Sequence, residues 1–219
     1  MITVGLTGSV GMGKSTTAAM LRRLRVPVYD ADAAVHALLA PHGGAVRAVL
    51  QEFPGVSDGQ GGVDRRKLGA AVFGDPAALR RLEAILHPMV RTRNKRFRQA
   101  IARRRGRILI LDVPLLFETG GERNCDAVIV VTAPAFLQRQ RVLSRPGVDA
   151  ARFREILRQQ MPDAEKRRRA DFVVRTGIGR RPALAGLVRI LAALRRGLDS
   201  VPRRRLCSRS PRTRFGGSS

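Results

Sequence analysis

The most constraining feature of the sequence is a glycine-rich stretch close to its start. Residues 8–15 read Gly-Ser-Val-Gly-Met-Gly-Lys-Ser, with an apolar run at residues 2–6 before them and apolar residues at helical spacing after them. A loop that surrounds phosphates brings several backbone N–H groups close to the anion, and a Cβ would obstruct that approach. Because strand, loop and helix occur in the required order, a chance match is disfavoured. The pattern predicts a site for a nucleoside triphosphate.

The residues of this loop have separate predicted tasks. Lys14 is long enough to reach the β- and γ-phosphates, and the Ser15 hydroxyl is a hard oxygen donor suited to Mg²⁺. The N-terminus of the following helix directs its partial positive charge at the same anion. The predicted nucleotide-binding residues are Gly8, Gly11, Met12, Gly13, Lys14, Ser15 and Thr16.

The formal charge of the 219-residue chain is +25, which would attract nucleic acids or anionic membranes. Almost all of this charge is arginine, since lysine occurs only as Lys14, Lys67, Lys95 and Lys166. Aromatic residues make up 4% of the chain, so no aromatic-rich strand is available to stack bases. We therefore interpret most of the charge as solvated surface and do not expect nucleic acid as a specific partner.

Length and hydropathy favour one α/β domain with an elaboration. Asp112 interrupts the most apolar run, at residues 108–117, so we expect no membrane span, and we find no export signal at the N-terminus. Cys125 and Cys207 lie far apart and away from any histidine, as in a cytoplasmic chain with incidental thiols. The sequence leaves the oligomeric state open, and a monomer is our expectation.

Two carboxylates follow the second predicted strand, at residues 26–29. Asp30 and Asp32 would lie at the C-terminal edge of a strand, where open α/β sheets bind ligands. Asp30 is equally suited to cap the helix predicted at residues 31–39. For Asp32 we favour chemistry, because a carboxylate near the γ-phosphate can orient an attacking hydroxyl and accept its proton.

No convincing strand is predicted between about residues 33 and 105. Helices at 44–53, at 64–73 and from 75 onward would form a helical insertion with a second substrate site. The last of these helices is long and amphipathic, and we expect Pro88 to bend or break it. At such a kink a structural role for His87 is the commoner case, and a substrate-binding role is the alternative.

Further strands are predicted at residues 107–111, 126–131 and 170–174. Asp112, at the end of the first of them, has the placement of a Walker B carboxylate, and termination of the strand is its alternative role. The Arg-rich residues 139–169 suit a helical lid, in which two or three arginines are enough to grip a phosphoryl group. An amphipathic helix is predicted at 182–195, and the composition beyond Gly197 predicts disorder.

Together these residues resemble the dephospho-CoA kinase family over roughly residues 2–195. The resemblance rests on the glycine loop at 8–16, Asp-Ala-Asp at 30–32, Leu-His-Pro at 86–88, the segment 113–118, Arg141 with Arg145, Gln-Met-Pro at 160–162, and Ala-Asp at 170–171. The loop Arg175-Thr176-Gly177 departs from the asparagine that often precedes its glycine in this family, which leaves a side-chain contact to adenine from this loop in doubt.

The resemblance implies an α/β P-loop fold of three layers, with a parallel sheet flanked by helices. Its core would be residues 1–32 and 106–196, with a CoA-binding helical insertion at about 33–105, a lid at about 139–169 and a disordered basic tail at 197–219. The implied reaction is transfer of the γ-phosphoryl group of ATP, with Mg²⁺, to the 3′-hydroxyl of dephospho-CoA, the last step of coenzyme A biosynthesis, in the cytoplasm. The residues expected to take part are Asp32, Lys14, Arg141 and Arg145 in catalysis, Asp32, His87, Leu115 and Glu118 in substrate binding, and Ser15 and Asp112 at the metal.

Two other functions are compatible with the sequence. One is a nucleoside-monophosphate or other small-metabolite kinase of the same fold, which would differ mainly in the helical insertion. The other is a basic nucleic-acid-binding protein that retains a nucleotide fold. A GTPase is disfavoured, because the only near match to its guanine-reading motif, at residues 94–97, lacks the aspartate and lies in a predicted helix.

Overall fold

The computed structural model describes residues 1–200, with side chains described through residue 197. The chain divides into two compact units: Met1–Val28 together with the chain from Arg105 onward, and Tyr29–Arg104. Most of the tail predicted to be disordered, from residue 201, lies outside the described residues, so that expectation stays a prediction.

A five-stranded sheet organises the first unit. The strands are β1 (Ile2–Thr7), β2 (Val28–Asp30), β3 (Ile108–Asp112), β4 (Ala127–Thr132) and β5 (Phe172–Arg175). Their order across the sheet is β2-β3-β1-β4-β5. Strand β1 is parallel to both of its neighbours, with Ile2 opposite Ile108 and Val4 opposite Ala127, and β4 is parallel to β5. The chain passes into the second unit within the edge strand β2.

Helices flank this sheet because its strands are apolar on both faces. Every residue of β1, β3 and β4 is buried, as expected for parallel strands covered on both sides. The side chains on one face of these strands form a core with the apolar face of the last helix, which contributes the fully buried Leu187. On the other face, Val128 and Val130 of β4 form a separate cluster with Leu116 and Phe117. The helices of this unit are α1 (Lys14–Arg23), α6 (Ala135–Leu143), α7 (Ala150–Arg158), α8 (Asp163–Arg169) and α9 (Arg180–Ser200), and Gly121–Asn124 form a short 3₁₀ turn.

The second unit is mainly helical, with the residues of β2 that it contains and one isolated antiparallel bridge between Ser57 and Val63. Aspartates cap three of its helices: the side chains of Asp30, Asp64 and Asp75 each accept backbone N–H groups of the first turn. A separate apolar core holds the helices together and includes the buried Leu38, Val49 and Leu82. The helices are α2 (Ala31–Leu39), α3 (Val46–Glu52), α4 (Arg65–Val72) and α5 (Pro76–Arg103).

Three differences from the predicted elements are physically informative. Helix α5 continues for 28 residues through Pro88, so the proline does not break it. Helix α8 was not predicted, although Pro162 with two acids in the following turn is a common helix start. Helix α9 extends to Ser200, beyond the predicted end at residue 195.

None of the helices in the described part of the chain combines the length and the apolar composition needed to cross a bilayer.

Candidate active site

The glycine loop lies between β1 and α1, and its tight packing explains its glycines. Gly11 and Gly13 have positive φ angles of 76° and 90°, a region that residues with a Cβ rarely adopt. A Cβ on Gly8 would lie 2.6 Å from the carbonyl oxygen of Val131, and one on Gly13 would lie 2.9 Å from Thr176 Oγ1. The loop is therefore packed against the ends of β4 and β5 as closely as a bare backbone allows.

Lys14 and Asp112 form an ion pair beside the glycine loop. Lys14 is the first residue of α1, and Asp112 is the last residue of β3. Asp112 lies opposite Leu6 of the neighbouring strand β1. The Lys14 Nζ atom lies 2.5 Å from Asp112 Oδ1, with side-chain exposures of 16% and 4%. The lysine and the Walker B aspartate inferred from sequence are thus brought together at the C-terminal ends of adjacent strands.

The chemistry of the side chains beside this pair suits a hard divalent cation. Ser15 is exposed at the start of α1, and its hydroxyl with the Asp112 carboxylate would offer only oxygen donors. Within residues 1–200, no group of three or more His, Cys, Asp or Glu could hold a metal ion by itself. A metal at this position would therefore take most of its ligands from phosphate and water, as in other P-loop sites.

Two glutamine side chains hold the backbone of Val10 in the glycine loop. The Val10 N–H donates to Gln160 Oε1 at 3.0 Å, and the Val10 carbonyl oxygen accepts from Gln138 Nε2 at 2.9 Å. Gln138 lies on α6 and is 7% exposed, whereas Gln160 follows the end of α7. The loop is therefore held by one residue just before the predicted lid and by one within it.

Arg141, a predicted catalytic residue, connects the glycine loop with the loop after β5. Its guanidinium donates at 3.3 Å to the carbonyl oxygen of Gly11, to Thr176 Oγ1 and to the carbonyl oxygen of Thr176. The Thr176 hydroxyl in turn donates to the Met12 carbonyl oxygen at 2.7 Å. Thr176, which replaces the expected asparagine, therefore packs on the loop, while the other predicted lid arginine, Arg145, is exposed.

Glu118, a predicted substrate-binding residue, anchors the segment that follows α7. Its Oε1 accepts the Met161 N–H at 2.8 Å and lies 2.8 Å from the ammonium of Lys166, whose side chain is 0% exposed. Burial by itself raises the pKa of the Glu118 carboxyl, but the Lys166 ammonium and the Met161 N–H together outweigh it and hold the pKa below its usual value. Leu115, from the same predicted set, is an exposed apolar side chain.

This lowered pKa predicts an acid-sensitive contribution to stability. A carboxyl whose pKa is lower in the folded than in the unfolded chain stabilises the fold above the ordinary value of 4.5 and loses this effect as the pH falls through the folded pKa. We expect Glu118→Gln to lower the free energy of unfolding at pH 7 and to weaken its decline on acidification below about pH 4.5. Urea unfolding between pH 3 and pH 7 measures both effects, and an unchanged pH profile would contradict the assignment.

The remaining predicted site residues belong to the helical unit. The side chain of Asp30 accepts the Ala33 N–H at 2.9 Å, which confirms its capping role. Asp32 lies in the first turn of α2 and is exposed, and His87 is exposed on α5.

A cavity of about 550 Å³ borders Met12 of the glycine loop. Its wall includes Gln138, Arg167 and Arg175, so cationic and amide side chains face a largely apolar space.

Sequence reasoning missed several residues that contact the glycine loop or hold the segment after α7. Gln138 and Thr176 carried no usable signal, because neither belongs to a spacing that predicts chemistry. Lys166 did carry one, since it is one of few lysines in a chain that otherwise uses arginine, and it proves to be fully buried. Gln160 was noted only as part of a motif without a role.

The sheet order, the glycine loop and the Lys14–Asp112 pair define a P-loop kinase of the α/β class. A model of the family described as dephospho-CoA kinase matches residues 2–178. The chain belongs to the dephospho-CoA kinase family, whose members are ATP-dependent kinases that catalyse the last step of coenzyme A biosynthesis.

Individual relatives agree with this assignment. A dephospho-CoA kinase of Rhodospirillum rubrum is 58% identical over 195 residues, covering 89% of this chain and 92% of that protein. One of Paramagnetospirillum magneticum is 62% identical over 164 residues, covering 75% and 77%. Among solved structures, TT1252 from Thermus thermophilus superposes with a TM-score of 0.76 at 36% identity, covering 88% of this chain and 96% of that one.

Proposed function

We propose that this chain transfers the γ-phosphoryl group of ATP to the 3′-hydroxyl of dephospho-CoA, with Mg²⁺ as the metal, as a cytoplasmic monomer. The observation that carries the proposal is the Lys14–Asp112 pair beside a glycine loop, in a chain of this family. The products would be ADP and coenzyme A.

The glycine loop and its neighbours would bind the triphosphate. Backbone N–H groups at the start of α1 face the anion together with the partial positive charge of the helix terminus. Lys14 would leave Asp112 for the β- and γ-phosphates, and Ser15 with Asp112 would hold the metal. Bound Mg²⁺ would neutralise charge on the phosphate oxygens.

Transfer requires an attacking oxygen, a proton acceptor and neutralisation of the moving group. In the proposed step the 3′-oxygen forms a bond to the γ-phosphorus as the bond to the bridging oxygen of ADP breaks, and Asp32 accepts the hydroxyl proton. Arg141 and Arg145 would neutralise the transferring phosphoryl group, because a guanidinium can bind two oxygens at once. Arg141 would reach it from the position that its bonds to Gly11 and Thr176 define.

We assign the remaining predicted substrate-binding residues by their exposure. Exposed His87 and Leu115 are available to contact dephospho-CoA directly. Glu118 has one carboxylate oxygen engaged by Met161 and Lys166, so we propose that it contributes by holding the segment after α7.

The decisive experiment is a coupled assay for ADP formation with ATP, Mg²⁺ and a panel of acceptors. We expect turnover with dephospho-CoA and little with nucleoside monophosphates, shikimate or gluconate. Turnover of a nucleoside monophosphate without turnover of dephospho-CoA would replace this proposal with the other kinase function. The identity of the metal is tested in the same assay by exchanging Mg²⁺ for Mn²⁺ or Ca²⁺.

The role of Asp32 predicts a selective defect in one variant. We expect Asp32→Asn to lower kcat by about 10²- to 10⁴-fold, the usual contribution of a general base, while the Kd of ATP stays within twofold. Asp30→Asn is the matched control, because asparagine also caps helices well and should leave kcat nearly unchanged. Steady-state kinetics and calorimetry measure the two effects, and a normal kcat for Asp32→Asn would remove the proposed base.

A further inference from the structure

Both backbone polar groups of Val10, in the glycine loop, are bonded to side-chain amides. Its N–H, in the peptide that joins Ser9 to Val10, donates to Gln160 Oε1 at 3.0 Å, and its carbonyl oxygen, in the peptide that joins Val10 to Gly11, accepts from Gln138 Nε2 at 2.9 Å. The two peptide planes on either side of the Val10 Cα are therefore each held, and neither can rotate without breaking a hydrogen bond. Leaving either of these partly buried groups without a partner costs free energy.

The restraint on Val10 matters because Gly11 and Gly13, which have positive φ angles of 76° and 90°, follow it in the loop. The peptide that joins Val10 to Gly11 carries the Gly11 N–H as well as the carbonyl oxygen that Gln138 holds. Rotation of this peptide would change the direction of the Gly11 N–H and of the backbone that follows it. Donors that are already oriented lose less entropy when the anion binds, so a fixed peptide raises affinity for the triphosphate.

The glutamines are themselves held by the fold. Gln138 is 7% exposed on α6. The neighbour of Gln160, Met161, donates its N–H to Glu118 Oε1 at 2.8 Å, and Glu118 is paired with the buried Lys166. The Gln160 amide therefore reaches the loop from an anchored segment within the predicted lid, between α7 and α8.

We infer that Gln138 and Gln160 are positioning residues that set the conformation of the glycine loop for ATP, acting through the backbone of Val10 and not by contact with the nucleotide. This inference rests on the proposed function only in taking ATP as the ligand of the loop. Neither residue belongs to the proposed catalytic set.

The chain offers a matched control for each residue. Gln159 and Gln140 are exposed neighbours of Gln160 and Gln138, so the same substitution can be made one or two positions away. Calorimetry with the full-length protein should show the Kd of ATP and of ADP raised roughly 5- to 20-fold in Gln160→Met and in Gln138→Met, as expected for loss of a partner from a buried polar group. Gln159→Met and Gln140→Met should leave both values within twofold of the unaltered protein.

Two further measurements separate positioning from general structural damage. The Kd of dephospho-CoA and the thermal midpoint should stay nearly constant in Gln160→Met, the decisive variant because Gln160 is only half-buried. The effects of the two substitutions on the Kd of ATP should also be less than multiplicative in the double variant, because both release the backbone of the same residue, Val10.

An unchanged Kd for ATP in Gln160→Met would overturn the inference, and so would an equal loss in Gln159→Met or a parallel loss of dephospho-CoA affinity. Binding is measured without turnover. An unaltered protein that binds ATP but does not phosphorylate dephospho-CoA would therefore refute the proposed function and leave this inference standing.

Discussion

Lys14→Ala should lower turnover by at least about a hundredfold to a thousandfold, the effect of removing one group that stabilises transition-state charge, and should also remove measurable ATP binding. The ammonium of Lys14 lies at the start of α1 beside the glycine loop, where no other lysine side chain of the described residues is placed to replace it. Calorimetry with ATP and the coupled kinase assay measure the two losses.

The control for Lys14→Ala concerns Asp112, which the substitution deprives of its ammonium partner. Asp112 is almost fully buried, so the single variant should also be less stable. In the double variant Lys14→Ala with Asp112→Asn the buried charge is gone, so stability should recover while activity should not. Recovery of ATP binding in the double variant would show that the first defect came from misfolding and not from the missing ammonium.

Lys166→Met should lower the free energy of unfolding by roughly 3 kcal/mol, because removing one partner of a buried pair leaves the other charge uncompensated. Lys166 is completely buried and Glu118 keeps 16% of its side chain exposed, so we take the lower end of the usual cost. Urea denaturation at pH 7 measures the change. Glu118 also holds the Met161 N–H, and with it the segment that contains Gln160. We therefore also expect ATP affinity to fall, but by less than in Gln160→Met.

Two controls accompany Lys166→Met. Lys95→Met makes the same change at an exposed lysine and should cost less than about 0.5 kcal/mol. The double variant Lys166→Met with Glu118→Leu removes both charges and should recover much of the lost stability, since apolar replacements of buried pairs are often neutral. If the double variant lost as much free energy of unfolding as the two single variants together, the ion pair would not be the source of the stability.

The parts of the fold that local sequence determines could be predicted. Buried parallel strands are continuous apolar runs, so β1, β3 and β4 were found within one or two residues of their bounds. The helices predicted to begin at residues 64 and 75 do begin there, with Asp64 and Asp75 as caps, because a capping side chain bonds within its own first turn. Asp112 was predicted at the end of a strand, in the placement of a Walker B carboxylate, and its ion pair with Lys14 is visible only in the folded chain.

The parts that depend on distant contacts could not be predicted. Gln138 and Gln160 reach Val10 across more than a hundred residues of chain, and no local spacing predicts such a bond. Of the two effects expected of Pro88, a bend or a break, the break does not occur, because apolar side chains pack on both sides of the proline and α5 stays continuous. Glu118 was assigned to substrate from a motif, and only the folded chain shows its bonds to Met161 and Lys166.

In the proposed reaction, the carboxylate of Asp112 would compete with the product for the ammonium of Lys14, which lies 2.5 Å from it in this structure. On release of ADP the ammonium would pair with this carboxylate and would not return to bulk water, so the protein would recover part of the free energy of separating it from phosphate. The carboxylate would thereby lower nucleotide affinity and favour rapid release of ADP over tight retention.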